Sequence, residues 1–157
     1  MRRYIVSAAI IAAAFAYSTH KASAEGGLSE PVLKPLVIDH DAGGVVVKYV
    51  DAVAKAIATG RQVKVRGNCW SACTLYLALV PMNKLCVYPS ASFHFHAPYS
   101  IINGEKVLAK PTYQTWFLSQ YPNKVHMLLA AQGGLTEDWI HASGPKVLKM
   151  LAPLCKD

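Results

Sequence analysis

The chain of 157 residues carries 16 Lys and Arg against 9 Asp and Glu, a formal net charge of +7, and is 53% hydrophobic. That length excludes two sizeable domains, and the modest charge gives no reason to invoke nucleic acid as a partner. Beyond the N-terminus no apolar run approaches the roughly 20 residues of a membrane span.

The first segment is read apart from the rest. Met1-Arg2-Arg3 is a charged start, Tyr4 to Tyr17 is an apolar run of 14 residues, and Ala22-Ser23-Ala24 is a small-x-small cleavage site. This layout predicts a secretory signal peptide over 1–24 and a mature domain over 25–157, placed in the periplasm or outside the cell. Arg2, Arg3 and Lys21 leave with the signal, so the mature charge falls to +4. Between Asp51 and Glu105 there is no acidic residue.

Residues 25–35 read as a loose entry arm rich in Gly and Pro. Leu36-Val37-Ile38 is a short buried strand, and Asp41-Ala42-Gly43-Gly44 has turn composition. Apolar positions 46, 50, 53, 54, 57 and 58 predict a helix that ends near Gly60. Residues 62–66 alternate as a strand, Gly67-Asn68 opens a turn, and 71–80 read as a buried helix stopped by Pro81. Residues 85–88 and 92–96 predict two more strands. The second puts Phe93 and Phe95 on one face and Ser92, His94 and His96 on the other. Residues 97–110 read as a polar loop. A helical pattern over 112–132 should be split by Pro122. Thr136 could cap a short helix over 137–142, and Pro145 could open a last one.

Strands alternating with helices imply crossover connections and a mostly parallel sheet. In such folds chemistry sits where strands give way to helices. Two junctions stand out here: Asp41-Ala42-Gly43-Gly44 and Gly67-Asn68-Cys69-Trp70-Ser71. Ser71 has two readings, a helix N-cap or a nucleophile beside unpaired helix-start N–H groups. His96 is likewise either a structural hydrogen-bonder or a general base. His94, on the same face, leaves a two-histidine metal site conceivable, though it lacks a third ligand in the nearby sequence.

Cys69, Cys73, Cys86 and Cys155 admit two disulfides, free thiols or metal ligation, and an exported chain favours disulfides. Helical neighbours at i and i+4 have Cβ atoms about 5–6 Å apart, whereas a disulfide wants about 3.5–4.5 Å. Cys69–Cys73 is therefore disfavoured unless the turn before Ser71 is non-helical. The expected pairs are Cys73–Cys86 and Cys69–Cys155.

Taken together, residues 36–98 resemble the superfamily of Clp-type serine proteases and crotonases, specifically the proteolytic subunit of the Clp protease. That family has a Ser-Pro-Gly-Gly turn, a Gly-x-Ala-Ala-Ser turn bearing the nucleophile, and a Pro-Asn-x-x-x-x-x-His-x-Pro strand bearing the base. Here Asp41-Ala42-Gly43-Gly44, Gly67-Asn68-Cys69-Trp70-Ser71 and Pro89-Ser90-Ala91-Ser92-Phe93-His94-Phe95-His96-Ala97-Pro98 stand in those places. The interval from Ser71 to His96 is 25 residues, as in the family. The resemblance implies an α/β fold, a Clp-protease/crotonase-like β-β-α spiral with a mostly parallel sheet, shortened at both ends. It implies Ser71 as nucleophile, His96 as base, and the N–H groups of Gly44 and Ala72 as an oxyanion hole.

The family's acid falls near Val147 in a coarse alignment and has no counterpart; Glu137 and Asp138 are the nearest acids, Asp157 is terminal, and Asp138 is the favoured support. Trp70 is bulky where the family has a small residue. The implied protein is an exported serine hydrolase acting on an acyl or peptide substrate. It would need no cofactor or metal, and its copies would assemble into a homo-oligomer. The alternative is a catalytically decayed binding or assembly protein of the cell envelope.

Overall fold

A computed structural model describes residues 33–156 of the chain, so the signal peptide expected over 1–24 lies outside the described residues. The first strand, β1 (Leu36–Asp41), leads through a glycine turn into α1 (Val46–Ala58) and back along β2 (Val63–Trp70). β1 and β2 run parallel, with Leu36 opposite Val63 and Asp41 opposite Cys69. α1 ends as its sequence requires. Gly60 takes a φ of 63°, Gly60 N–H donates to Ile57 O, and Arg61 N–H donates to Ala56 O. That pair of bonds closes the last turn around a left-handed glycine. The buried side of the helix is Val53 and Ala56, while Val50 and Ile57 of the expected stripe face outward.

β2 is longer than its alternating core suggested. It continues through Gly67 and Asn68, where the sequence predicted a turn. The reason lies in β1, whose register against β2 shifts between Ile38 and His40. At that irregularity a Cβ on Gly67 would overlap the Asp39 carbonyl, so glycine lets the two backbones meet. A 3-10 turn (Ser71–Thr74) and α2 (Leu75–Leu79) follow directly, then β3 (Leu85–Val87) and β4 (Ser92–Phe95). β3 pairs with Val63–Val65 of β2, and β4 pairs with its far end, Asn68–Trp70, both in parallel.

The polar loop expected over 97–110 is a hairpin, β5 (Tyr99–Ile102) and β6 (Glu105–Leu108), forming a separate two-stranded sheet. Its turn is Asn103-Gly104, with φ of 52° and 84°, the two left-handed residues that a tight hairpin demands. Pro122 splits the next helical stretch into α3 (Pro111–Ser119) and α4 (Asn123–Ala131). The helix expected over 137–142 is absent. β7 (Ile140–Ser143) stands there, antiparallel to β4, before α5 (Pro145–Leu151). Ile140 and Ala142 point inward and His141 and Ser143 outward, a period of two that no helix could satisfy.

The main sheet is thus mixed and mostly parallel, in the order β1-β2-β4-β7 with β3 beside β2. One hydrophobic cluster covers it, centred on Val63, Val65, Leu77, Phe93 and Phe95. No helix among the described residues is long and apolar enough to cross a membrane.

The disulfides correct the expected pairing. Cys69 is joined to Cys73 and Cys86 to Cys155; neither Cys73–Cys86 nor Cys69–Cys155 forms. Helical spacing does not apply because Cys69 lies within β2, and the residues between it and Cys73 are not α-helical. The Cα atoms of that pair lie 5.3 Å apart. Cys155 instead follows a parallel bridge between Leu154 and Val87, and Cys155 N–H donates to Val87 O at 2.9 Å.

Candidate active site

The two junctions singled out in the sequence meet at the carboxyl end of β1 and β2. Trp70 closes β2 in an extended conformation, and Ser71 starts the 3-10 turn with a φ of 53°. A left-handed serine is strained, because its Cβ crowds the backbone there. Ser71 Oγ and His96 Nε2 are 2.7 Å apart. His96 is the residue immediately after the end of β4, which accounts for its aim toward the junction.

The glycine turn packs against this serine. Asp41 Oδ1 accepts from Gly43 N–H at 2.9 Å and from the Tyr49 hydroxyl at 2.5 Å, fixing the turn between β1 and α1. Burial and that bond to Asp41 keep the Tyr49 phenol protonated far above its ordinary range. Gly43, at φ 79°, lies so close that a Cβ would overlap Trp70 O and sit 2.7 Å from Ser71 Cβ. Gly44, by contrast, has open space where a side chain would stand. Behind the serine, Thr74 Oγ1 donates to Ser71 O at 2.7 Å, and the Tyr121 hydroxyl then donates to Thr74.

These groups border a cleft of about 910 Å³, with Gly44, Ser71, Ala72 and His96 on its wall. Ala72 is the second residue of the 3-10 turn, where an N–H has no partner within the helix. The rest of the lining is mostly apolar, including Val46, Tyr99, Phe117 and Trp139, and Lys110 is its charged member. No carboxylate among the described residues lines it.

His96 is 7% exposed, covered by the rings of Tyr99 and Trp139 at 5.4 and 4.3 Å between centroids. Burial pushes its pKa below the ordinary histidine value, and the nearby Lys106 cation pushes the same way. Its other nitrogen, Nδ1, is buried without a hydrogen-bond partner among the described residues. Asp138, the acid suggested from sequence, therefore does not hold His96. It is exposed in the segment before β7, where its backbone N–H donates to Thr136 Oγ1 at 3.2 Å. The unforeseen strand β7 fixes where that segment lies.

His94 belongs to a different cluster. Its Nε2 lies 2.8 Å from Ser92 Oγ, which donates to Asn68 Oδ1, and its Nδ1 lies 2.5 Å from His141 Nδ1. Trp70 stacks on the His94 ring at 3.5 Å. Desolvation, with His141 alongside, lowers the His94 pKa to about 4. Trp70, bulky for this fold in the sequence comparison, thus covers the histidine pair. No group of three or more His, Cys, Asp or Glu converges on a metal position among the described residues.

Sequence reasoning missed Asp41 as the tether of the glycine turn, and it missed Tyr99, Trp139 and His141. Asn103-Gly104 and the alternation over 140–143 were the signals that would have placed the last three.

No protein-family model matches the chain, and no curated protein matches it. Among solved structures it is similar to one described only as an enzyme, with a TM-score of 0.46 and 9% identity over 81% of each chain. It is also similar to a point mutant of ClpP1 from Listeria monocytogenes, with a TM-score of 0.45 and 14% identity. That match covers 79% of this chain and 75% of the other. The likeness is distant and concerns the fold alone, an α/β arrangement on a mixed, mostly parallel sheet.

Proposed function

We propose that the protein is an exported serine hydrolase of the Clp-protease and crotonase type that acylates on Ser71. The observation that carries this reading is the 2.7 Å contact between Ser71 Oγ and His96 Nε2 at a strained strand-to-helix turn that opens on a cleft. Strain at a polar residue facing a cavity is a mark of functional sites.

The proposed reaction starts from that contact. His96 Nε2 takes the Ser71 proton as Oγ attacks the carbonyl carbon of an ester or peptide. The oxyanion that develops is met by the N–H groups of Gly44 and Ala72. His96 then returns the proton to the leaving group, and water, activated by the same nitrogen, releases the acyl group. In this cycle the resting proton of His96 sits on Nδ1, which has no hydrogen-bond acceptor among the described residues. Loss of the orienting acid can lower turnover on the order of 10⁴-fold, so slow turnover is expected. The same orphaned Nδ1 favours a second reading, a decayed binding or assembly protein of the envelope.

On the first reading residues 1–24 are a signal peptide, 25–157 form a single domain, and the protein works in the periplasm or outside the cell. The two disulfides support an oxidising compartment. Exposed Val47, Val50 and Ile57 on α1 support assembly into homo-oligomers. Neither cofactor nor nucleic acid enters the scheme.

A fluorophosphonate probe tests it. The purified protein should gain one adduct, and Ser71→Ala should gain none. Because the His96 pKa is depressed, its neutral form persists as pH falls through 6.5, and the acidic limb of the labelling rate should lie below pH 6.5. No adduct on the wild-type protein would leave the binding reading. A limb at or above pH 6.5 would mean that the pKa of His96 is not depressed in the folded protein.

A further inference from the structure

The Cys69–Cys73 disulfide encloses three residues, and Ser71 is the middle one. The two neighbours in that loop are fixed from outside it. Trp70 is held extended, with φ −103° and ψ 145°, by pairing of β2 with β4 opposite His94. Ala72 is the second residue of the 3-10 turn and is 1% exposed, packed in the core. A strand and a helix joined with their flanking Cα atoms only 5.3 Å apart must reverse direction within the residues between them. With Trp70 and Ala72 committed, the reversal falls on Ser71, and a φ of 53° is what it takes. The other contacts at this turn, the Thr74 hydrogen bond to Ser71 O, the Ser71 hydrogen bond to His96 and the packing of Gly43, are non-covalent.

We propose that the Cys69–Cys73 disulfide is a positioning device for the site, holding Ser71 left-handed so that its Oγ faces His96. The site is then assembled only in chains whose Cys69 and Cys73 have been oxidised. In that step each thiol loses a proton and the pair loses two electrons to an external protein disulfide, which is reduced to a dithiol. Both cysteines are 0% exposed, so the exchange belongs to folding, before the turn packs, and the finished bond resists reductants. A reducing compartment yields the chain with its serine turned away; an oxidising one yields the assembled site. This rests on Ser71 as the reacting group, but the conformational claim can be read without any chemistry.

The test compares Cys69→Ala/Cys73→Ala with Cys86→Ala/Cys155→Ala, each by crystal structure, thermal melt and fluorophosphonate labelling well below the melt. The first variant should keep the fold, with Ser71 at negative φ and Oγ out of reach of His96. Its labelling rate should fall on the order of ten-fold or more, the weight of a left-handed residue released from constraint. The second should melt lower than the first yet label at the wild-type rate. A merely structural disulfide would move the melt and not the rate. Ser71 still left-handed and 2.7 Å from His96 without the disulfide would overturn the proposal. An unlabelled wild-type protein whose Ser71 relaxes in the first variant would overturn the hydrolase reading and leave the positioning role standing.

Glycine and alanine at position 71 give an independent reading, since both lack Oγ and only glycine accepts positive φ freely. Ser71→Gly should melt above Ser71→Ala with the disulfide present, and that advantage should shrink in Cys69→Ala/Cys73→Ala. An undiminished advantage, including a case in which only the glycine form folds, means that other contacts force the turn and the proposal is wrong.

Discussion

His96→Ala should lower the rate of Ser71 labelling on the order of 10³-fold while the protein stays folded. A neutral serine hydroxyl is hardly ionised at pH 7, and a positioned general base supplies about 10²- to 10⁴-fold. His96 is the group in contact with Ser71 Oγ, and His94 cannot substitute because its two nitrogens are engaged with Ser92 and His141. The stability cost is modest, because Nδ1 makes no bond to be lost and the losses are the hydrogen bond to Ser71 and the contacts with Tyr99 and Trp139. His94→Ala offers the contrast. It should uncover Trp70 and destabilise the β4–β7 pairing without a comparable fall in rate per folded molecule. Pseudo-first-order labelling of both variants, with circular dichroism to count folded protein, decides the matter. Equal losses in the two would mean that His96 acts through structure rather than as a base.

Removing Cys86–Cys155 should cost about 4 kcal/mol of stability, against about 2 kcal/mol for Cys69–Cys73, by the chain-entropy dependence on loop length. The first bond closes a loop with a sequence separation of 69 and the second one of 4. The larger loop also anchors packing. Cys155 ties the chain end beside β3, where Val87 N–H donates to Pro153 O, and α5 buries Leu148 and Leu151 just before it. Denaturant melts of the two double-alanine variants should therefore rank Cys86→Ala/Cys155→Ala as the less stable. The reverse order would show that native-state contacts around the serine turn outweigh loop entropy.

The α/β class, the helix α1 and the Pro122 break were legible because each rests on local signals: apolar spacing, a C-terminal glycine, a missing N–H. Ser71, His96 and the Gly43-Gly44 turn could be named because short motifs at strand ends mark such junctions. What failed was the part that tertiary contacts decide. The Gly67 bulge looks like a turn in sequence, because glycine serves both, and only its approach to Asp39 distinguishes them. The disulfide pairing depended on whether the chain around Ser71 was helical, which sequence could not say. Residues 140–143 are a strand because β4 offers them an edge. The helix placed there left Trp139 and His141 out of the site, and Asp138 stayed in it.

On the proposed function, Ser71 is a nucleophile served by His96 and a backbone oxyanion hole. A crystal structure of the fluorophosphonate-treated protein tests it most directly. Phosphorus should be bonded to Ser71 Oγ, with the phosphoryl oxygen within about 3 Å of both Gly44 and Ala72 N–H groups. His96 Nε2 should face the departed group's position. Phosphorus on another residue, or an empty Ser71 after full exposure to the probe, would contradict it.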